Sequence, residues 1–324
     1  MSYIAVVGLG SIGHRHLRNC RKLFPQHRLI AVSSSGRIPT ETIEADVVLV
    51  DLDHLQEYEL DLVIIASPAS FHHLHLAELS SELSCPILIE KPIADSAEHV
   101  REIERFSRQY PGKIVVGYCL RFLPAAQKVK NIIACKQYGT VKRVNVKAHS
   151  YLPDWRPNKD YRHSVSAQKL LGGGALLELS HELDYLAWFF GSLSFKSAEV
   201  QHNSHLDIDV EDSAFVTLSG AQNEIIELSL SFAKQENLRF CIIECERADI
   251  YWDLLNNTIT ISANHTNEVI YGDNSYDRNN MYLDMVTCLY QQNETSENEK
   301  LASVASAVST VTLIEKIKQQ GKSN

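Results

Sequence analysis

Three glycines have the spacing Gly8-x-Gly10-x-x-Gly13, directly after a short apolar run and before a helical stretch. In that setting the first glycine permits a tight turn, the second lets the backbone approach a pyrophosphate, and the third lets the helix pack on the strand. The free amide groups at the helix N-terminus would face the phosphates. We therefore predict a dinucleotide site, and an ordinary glycine turn is the alternative. Its expected contacts are Gly8, Gly10, Ser11, Ile12 and Gly13.

The residues about 20 positions after these glycines bear on which dinucleotide binds. This segment reads Ser33-Ser34-Ser35-Gly36-Arg37 and contains no acidic residue. A carboxylate there would bond the adenosine ribose 2′-OH and select NAD, whereas small hydroxyls and an arginine suit a 2′-phosphate. Ser33, Ser34 and Arg37 are therefore predicted to favour NADP(H) over NAD(H). The alternative is a polar turn without a preference.

A lysine follows another apolar run, in the sequence Glu90-Lys91-Pro92. Doubly wound sheets bind their ligands at the carboxyl ends of the strands. A lysine at such an end, beside a nicotinamide ring, is placed to exchange a proton with a substrate. Lys91 is therefore a candidate catalytic residue, and a surface lysine before a helix is the alternative.

A second candidate for proton transfer lies after Gly172-Gly173-Gly174, in an apolar stretch that we predict to be one long helix. With 3.6 residues per turn, Glu178, Asp184 and Tyr185 fall within about 60° of His181 on one helix face. Polar groups on a buried helix must be paired or functional. His181 and Glu178 are thus candidate catalytic residues, and a hydrogen-bonded core histidine is the alternative.

The segment 151–162 is rich in aromatic and cationic side chains. Arg156 and Arg162 suit a carboxylate or a phosphate through paired hydrogen bonds. Trp155 and Tyr161 could stack on the apolar face of a sugar. These four residues are predicted to bind the substrate, and a structural loop with long surface side chains is the alternative.

Short apolar runs alternate with helical stretches over the first third of the chain, which predicts a doubly wound parallel sheet with right-handed crossovers. The predicted strands are 4–7, 29–32, 47–50, 62–66, 87–89 and 114–116, and the predicted helices are 12–23, 71–83 and 96–109. From about 197 to 270, strands follow one another without helices, which predicts an open antiparallel sheet. Two helices, about 280–291 and 300–319, follow it.

These patterns predict two domains with a boundary in the segment 118–124. The fold class is α/β: a Rossmann domain over 1–120, then an α+β domain with a large open, mostly antiparallel sheet over 121–324. The length of 324 residues also agrees with two domains of ~150 residues.

Composition excludes several classes of partner. The chain has 31 basic and 40 acidic residues, a net charge of −9, which argues against nucleic acid and anionic membranes as partners. No apolar run approaches the ~18 residues of a membrane span, and Met1–Val7 lacks the basic region of a signal peptide. Seven scattered cysteines without Cys-x-x-Cys predict reduced thiols in a cytoplasm and no structural metal.

Taken together, the motifs resemble those of the glucose-fructose oxidoreductase / inositol dehydrogenase (Gfo/Idh/MocA) family. The resemblance covers nearly the whole chain in the right order. Its motifs are Gly8–Gly13, Ser67-Pro68 with His72, Glu90-Lys91-Pro92, Gly117-Tyr118 with Arg121-Phe122, and Gly172-Gly173-Gly174 with His181-Glu182-Leu183-Asp184.

The resemblance implies NAD(P)-dependent hydride transfer on a sugar, polyol or related carbonyl, and dimers or tetramers formed through the C-terminal sheet. Lys91 matches the family's catalytic lysine and His181 its acid/base histidine. Many members carry an aspartate four residues before this histidine, where this chain has Leu177. Either Glu178 replaces that aspartate, or catalysis depends on Lys91 and His181 alone.

The same resemblance extends the expected contacts. Cofactor contacts are expected at Ser67, Pro68, His72, Glu90 and Lys91, and substrate contacts at Lys91, Arg121, His181 and Asp184. With the segment 151–162, it suggests an anionic sugar or nucleotide sugar, as in bacterial surface-sugar metabolism. A lyase or glycosidase that oxidises its substrate transiently, and a non-catalytic dinucleotide or sugar sensor, are the alternatives.

Overall fold

The computed structural model of the chain describes residues 2–34, 36, 43–79, 83–202, 205–291 and 299–323. The chain divides into two compact units. Unit 1 comprises Met1–Phe122 and Arg278–Val311, and unit 2 comprises Leu123–Asp277 and Thr312–Asn324. Unit 1 thus contains residues 278–311, which the sequence pattern assigned to the second domain.

Unit 1 is built on a parallel sheet whose strands correspond to the predicted apolar runs. The strands are β1 (Tyr3–Val7), β2 (Arg28–Val32), β3 (Val47–Leu49), β4 (Leu60–Ile65), β5 (Ile87–Ile89) and β6 (Ile114–Val116). Their order is β6-β5-β4-β1-β2-β3, with every neighbouring pair parallel. The strand order reverses direction at β1, as in a doubly wound Rossmann sheet, so this prediction is confirmed. A two-residue strand, Ala302–Ser303, pairs antiparallel with β6.

The strands of this sheet are apolar throughout because both faces are covered. Ala5 of β1 packs in one cluster with Leu76 and Ile103, which lie on helices α2 (His72–Glu78) and α3 (Ala97–Gln109). On the other face Ile4 is equally buried, as is Leu17 on helix α1 (Ser11–Leu23). Burial on both faces is why a continuous apolar run, without alternation, marks these strands.

Helix α2 is shorter than predicted. A turn of 3-10 helix, Ala69–Phe71, precedes it, and Leu79 is already extended with φ −68° and ψ 134°. Residues 80–82 of the predicted helix lie outside the described residues. Helix α3 begins after Ser96, whose hydroxyl accepts a hydrogen bond from the His99 amide at 3.3 Å.

Unit 2 is built on a mostly antiparallel sheet, as predicted. After helix α4 (Pro124–Ala134), its strands are β7 (Val141–Tyr151), β8 (Ser194–Gln201), β9 (Ser213–Ser219), β10 (Ile225–Ser231), β11 (Ala233–Cys245), β12 (Asp249–Asp253), β13 (Thr258–Ala263) and β14 (Thr266–Gly272). Their order is β14-β13-β12-β11-β7-β10-β9-β8, followed by a terminal strand, Lys322–Ser323. Only β7 with β10 and β8 with the terminal strand are parallel among the described residues.

Helix α4 and strand β7 were not predicted, although β7 lies in the middle of the unit 2 sheet, where it pairs with β10 and β11. Its buried residues are Val144, Val146 and Ala148, and polar residues such as Arg143 and Lys147 alternate with them. This period of two is the signal of a strand with one buried face, and it was present in the sequence.

The predicted long helix after the triple glycine is wrong, because it is two helices. Helix α5 (Ala175–Glu178) and helix α6 (Ser180–Phe190) are separated at Leu179, which has φ −95° and ψ 25°. The Leu179 amide still donates to Ala175, but the Glu182 amide donates to Leu179 over three residues. Glu178 and His181 therefore do not share the continuous helix face that the sequence argument assumed.

Two further helices follow strand β14 in the chain. Helix α7 (Asn280–Gln291) packs against α1 and the turn Cys119–Phe122 within unit 1. Helix α8 (Val304–Gln320) contributes Ala307 and Val311 to the unit 1 core and continues into unit 2. Among the described residues, no helix combines the length and apolar character needed to cross a membrane.

Candidate active site

The glycine turn joins β1 to α1 in unit 1 and has the geometry expected of a phosphate-binding turn. Gly8 has φ +94°, and a Cβ there would lie 2.5 Å from the Ser67 amide nitrogen. A Cβ on Gly13 would collide with the Gly8 carbonyl oxygen. A Cβ on Gly10, in contrast, would meet no atom within 4 Å. The turn therefore requires glycine at its two closed positions and leaves open space in front of its centre.

Helix α1 begins directly at this open space. Ser11 is its first residue and Ile12 its second, and both follow Gly10. No side chain caps the helix at Gly10, so its first amide groups are available for an anion. These features fit a dinucleotide pyrophosphate.

Three loops meet at the carboxyl ends of the unit 1 strands. The Gly8 amide donates to Val32, and the Ala66 amide donates to Val7 at 2.7 Å. The Glu90 amide donates to Ile65 at 2.8 Å, one strand further along. The ends of β1, β4 and β5 are adjacent, so the structure brings the glycine turn, Ser67-Pro68 and Glu90-Lys91 to one edge of the sheet.

The loop after β4 is fixed by two buried histidines. The ring nitrogens of His72 lie 2.8 Å from the Ser67 carbonyl oxygen and 3.1 Å from the Ile93 carbonyl oxygen. Nδ1 of His75 lies 2.9 Å from the Ser67 hydroxyl oxygen. Burial lowers the pKa of both histidines, to about 4 for His75. The His75 ring is therefore neutral near pH 7. His72 connects this loop to the segment that follows Lys91.

The Glu90-Lys91 turn is organised by the Glu90 carboxylate, which is 6% exposed. One carboxylate oxygen lies 2.7 Å from Nε2 of His16, and the other accepts the Lys91 amide at 3.2 Å. The Lys91–Pro92 peptide bond is cis. Lys91 itself is half-buried. Sequence reasoning missed His16, because nothing in its local pattern points to a partner 74 residues away.

The predicted adenosine-side residues are only partly described. Ser33 follows β2, is buried, and donates its amide to the Leu49 carbonyl at 2.9 Å. Ser34 is half-buried. Arg37 lies outside the described residues, so its predicted role has no structural counterpart.

In unit 2, the start of helix α5 is held by Glu211. The Leu176 amide donates to its carboxylate at 3.2 Å, and Lys318 forms an ion pair with it at 3.0 Å. Gly174, with φ +114°, leaves room for this carboxylate, because a Cβ there would overlap it. Glu178 at the end of this short helix is half-buried.

Helix α6 carries His181 and a set of buried polar residues. Glu182 is fully buried and accepts a hydrogen bond from Nε of Arg239 on β11 at 2.7 Å. Asp184 and Tyr185 are also buried, whereas His181 is half-buried. Glu211 thus holds α5 and Arg239 holds α6, so different partners fix the two helices on either side of Leu179.

The segment 151–166 forms a pocket of about 370 Å³ within unit 2. Its lining includes three of the predicted substrate residues, together with a lysine and an aspartate: Trp155, Arg156, Lys159, Asp160 and Tyr161. The Trp155 indole N–H donates to Ser150 at 2.9 Å, which orients the ring at the pocket.

The two predicted arginines of this segment differ in their surroundings. Arg162 donates to both carboxylate oxygens of Asp160, at 2.6 and 2.9 Å, and lies 3.5 Å from Asp207. These hydrogen bonds lower the pKa of Asp160 to about 2. Arg156 and Lys159 form no ion pair with any residue in the described part of the chain. An anion in the pocket would therefore meet Arg156 and Lys159 rather than Arg162.

Arg121, the remaining predicted substrate residue, lies in unit 1. It is 4% exposed, and its guanidinium donates to the Ser306 hydroxyl at 2.8 Å. The described residues contain no group of three or more histidine, cysteine, aspartate or glutamate side chains arranged for a metal ion.

Two family models match the chain. Residues 3–118 match the oxidoreductase family with an NAD-binding Rossmann fold, and residues 126–251 match the GFO/IDH/MocA C-terminal domain. An uncharacterized oxidoreductase of Synechocystis sp. is 30% identical over 185 residues, covering 53% of this chain and 49% of that protein. An inositol 2-dehydrogenase of Rubrobacter xylanophilus is 28% identical over 193 residues, covering 57% of this chain and 51% of that protein. The chain thus spans about half the length of these curated relatives.

Solved structures share the fold over nearly the whole chain. A dehydrogenase from Bordetella pertussis in complex with NADH and UDP-GlcNAcA has a TM-score of 0.78 at 17% identity, covering 98% of this chain and 95% of that one. A variant 3-ketoreductase from Actinomadura kijaniata in complex with TDP-benzene and NADP has a TM-score of 0.78 at 15% identity, covering 99% and 98%. With both of its domain models matched in order, the chain belongs to the Gfo/Idh/MocA family of oxidoreductases.

Proposed function

We propose that this protein transfers a hydride between a nicotinamide dinucleotide and a hydroxyl or carbonyl carbon of a sugar, sugar acid or nucleotide sugar. The observation that carries the proposal is that two turns lie together at the carboxyl ends of the unit 1 strands. There, an open glycine turn at the start of α1 and the Glu90-Lys91 turn follow strands that are separated only by β4. This arrangement suits a dinucleotide whose phosphates lie at the glycines and whose nicotinamide lies near Lys91.

Lys91 and His181 are proposed to handle the proton at the reacting oxygen. When bound, the nicotinamide supplies or accepts the hydride. For oxidation, Lys91 and His181 hydrogen-bond to the substrate hydroxyl, and one of them takes its proton. For reduction, the same residue returns a proton to the new hydroxyl. Since the helix is broken at Leu179, we favour this pair alone over a relay that includes Glu178.

The pocket of unit 2 supports an anionic sugar or nucleotide sugar as the substrate class. Arg156 and Lys159 supply positive charge that no described carboxylate neutralises, and Trp155 offers an aromatic face beside them. Guanidinium groups bind carboxylates and phosphates well, and aromatic rings suit the apolar face of a sugar. The two solved relatives described above hold nucleotide-linked ligands, which agrees with this choice. A role in surface-sugar metabolism is the biological context that we propose for it.

NADP(H) is proposed as the preferred cofactor, because Ser33 and Ser34 place hydroxyls and no carboxylate at the end of β2.

The seven cysteines are free thiols in the structure, which fits a reducing compartment such as the cytoplasm.

Two or four copies are proposed to associate through the open face of the unit 2 sheet. One face of this sheet is buried by residues such as Val144 and Leu228. The opposite face exposes Phe215 by 37% and Ile225 by 44%, with the Arg143–Glu227 ion pair between them. Contiguous exposed apolar patches mark protein interfaces, and a second copy packed on this face would bury both apolar side chains.

The test is turnover measured by nicotinamide absorbance, with nucleotide sugars, sugar acids and neutral polyols as substrates. We expect the anionic sugars to be turned over, and saturation by neutral polyols alone would contradict the substrate class.

Lys91→Ala should lower kcat by about 100-fold or more, because it removes a proton-transfer group, while the cofactor Kd changes little. An unchanged kcat would remove Lys91 from the mechanism.

A further inference from the structure

We propose that His16 is a positioning residue for Lys91 and acts through the carboxylate of Glu90. The inference rests on the proposed function, since it concerns how the proton-transfer lysine is held in place. His16 lies on α1, three residues after Gly13, and Glu90 directly precedes Lys91.

The buried carboxylate connects two parts of unit 1. His16 is fully buried, and its Nε2 lies 2.7 Å from one oxygen of Glu90. The other oxygen accepts the amide of Lys91 at 3.2 Å. Each oxygen thus has a partner, one on the helix that begins at the glycine turn and one in the main chain of Lys91. A buried carboxylate is costly without such partners, so the three groups favour one arrangement.

The surroundings leave this pair little freedom. A Cβ on Gly117 would lie 3.1 Å from the carboxyl carbon of Glu90 and from both of its oxygens. On α7, the ring of Tyr282 meets the His16 ring edge-on at a centroid distance of 6.1 Å. Nδ1 of His16 has no hydrogen-bond partner among the described residues, so the ring is used through Nε2 alone. The carboxylate is therefore fixed between a histidine donor and a glycine that gives it room.

The His16–Glu90 pair fixes the main chain at Lys91. The glycine turn is expected at the pyrophosphate, in the middle of the bound dinucleotide, and Lys91 at its nicotinamide end. The His16–Glu90 pair connects these two places within unit 1. Small displacements of a catalytic group lower rates strongly, so a fixed main chain at Lys91 has functional value. Loss of the His16 donor should loosen the Lys91 turn and leave the phosphate end of α1 in place.

The experiment is acylation of the protein by an amine-reactive ester, with the labelling rate of each lysine followed by mass spectrometry. We expect the ester to acylate Lys91 about threefold or more faster in His16→Leu than in the unsubstituted protein. The expected size corresponds to the loss of one hydrogen bond, the one from His16 to Glu90. Gly117→Ala, which displaces the carboxylate from its other side, should do the same. His16→Gln keeps an N–H donor near the position of Nε2 and should stay close to the unsubstituted rate.

His27→Leu is the matched control. Its Nε2 lies 2.9 Å from Asp61, but both residues are at the amino ends of strands, away from the proposed site. It should leave the Lys91 rate unchanged. Equal Lys91 labelling in His16→Leu, Gly117→Ala and the unsubstituted protein would overturn the proposal, as would faster labelling of all lysines. Failure of the proposed function is seen separately, as turnover that survives Lys91→Ala.

Discussion

At the scale of single residues, the segment 151–166 contains two arginines, Arg156 and Arg162, with the same chemistry and different surroundings, and only Arg156 lines the pocket of unit 2. Arg162 is held by Asp160 and Asp207, whereas Arg156 lines the pocket and forms no ion pair with a described carboxylate. A guanidinium already neutralised by two acids contributes less to an incoming anion than one that is not. Residue type alone therefore made the two arginines look equivalent, and their partners distinguish them.

This difference predicts unequal effects on substrate binding. Arg156→Ala should raise the KM for an anionic sugar about tenfold or more, the effect of losing a charge-assisted hydrogen bond. Arg162→Ala should raise it less, because Asp160 and Asp207 already satisfy that guanidinium. Steady-state kinetics of both variants make the comparison. A larger KM effect for Arg162→Ala would contradict the assignment of the pocket.

At the scale of elements, helix α2 places three histidines in the unit 1 interior. Burial lowers the pKa of His72, His73 and His75 below the ordinary value of 6.5. A histidine with a lowered pKa in the folded state binds its proton more readily when unfolded. Protonation therefore favours unfolding, and stability is lost as the pH falls from 6.5.

The pH dependence should be strongest for the residue with the clearest shift. The pKa of His75 is lowered to about 4, so its contribution to the free energy of unfolding falls between pH 6.5 and pH 4, by on the order of 3 kcal/mol. His75→Asn can keep a polar contact to Ser67 and cannot titrate. Thermal unfolding between pH 4 and pH 8 should show a shallower decline in Tm for this variant. Parallel Tm profiles would contradict the prediction.

Some elements could be predicted from the sequence and others could not. Strands β1, β4 and β5 were found because burial on both faces makes them continuous apolar runs. The break at Leu179 was missed, and the groups that hold the helices on either side of it, Glu211 and Arg239, lie far away in sequence. Local patterns carry the fold and the glycine turn, whereas the partners of site residues are set by tertiary contacts.

At the scale of the whole molecule, the open sheet face of unit 2 predicts self-association. Phe215→Asp together with Ile225→Asp places charges on two exposed positions of that face and leaves the buried face unchanged. Light scattering should show a dimer or tetramer for the unsubstituted protein and a smaller species for the double variant. A monomer in the unsubstituted protein, or no change on substitution, would contradict the proposed interface.

Binding of a nicotinamide dinucleotide at the glycine turn can be tested by one substitution, at Gly10. A Cβ on Gly10 would meet no atom within 4 Å, so Gly10→Glu should fold normally while it places a carboxylate where the pyrophosphate is expected. The decisive measurement is nicotinamide fluorescence as NADPH and NADH are added to the folded, cofactor-free protein. We expect binding, tighter for NADPH, and its loss in Gly10→Glu with an unchanged Tm. Binding of neither dinucleotide, or equal binding by Gly10→Glu, would contradict it.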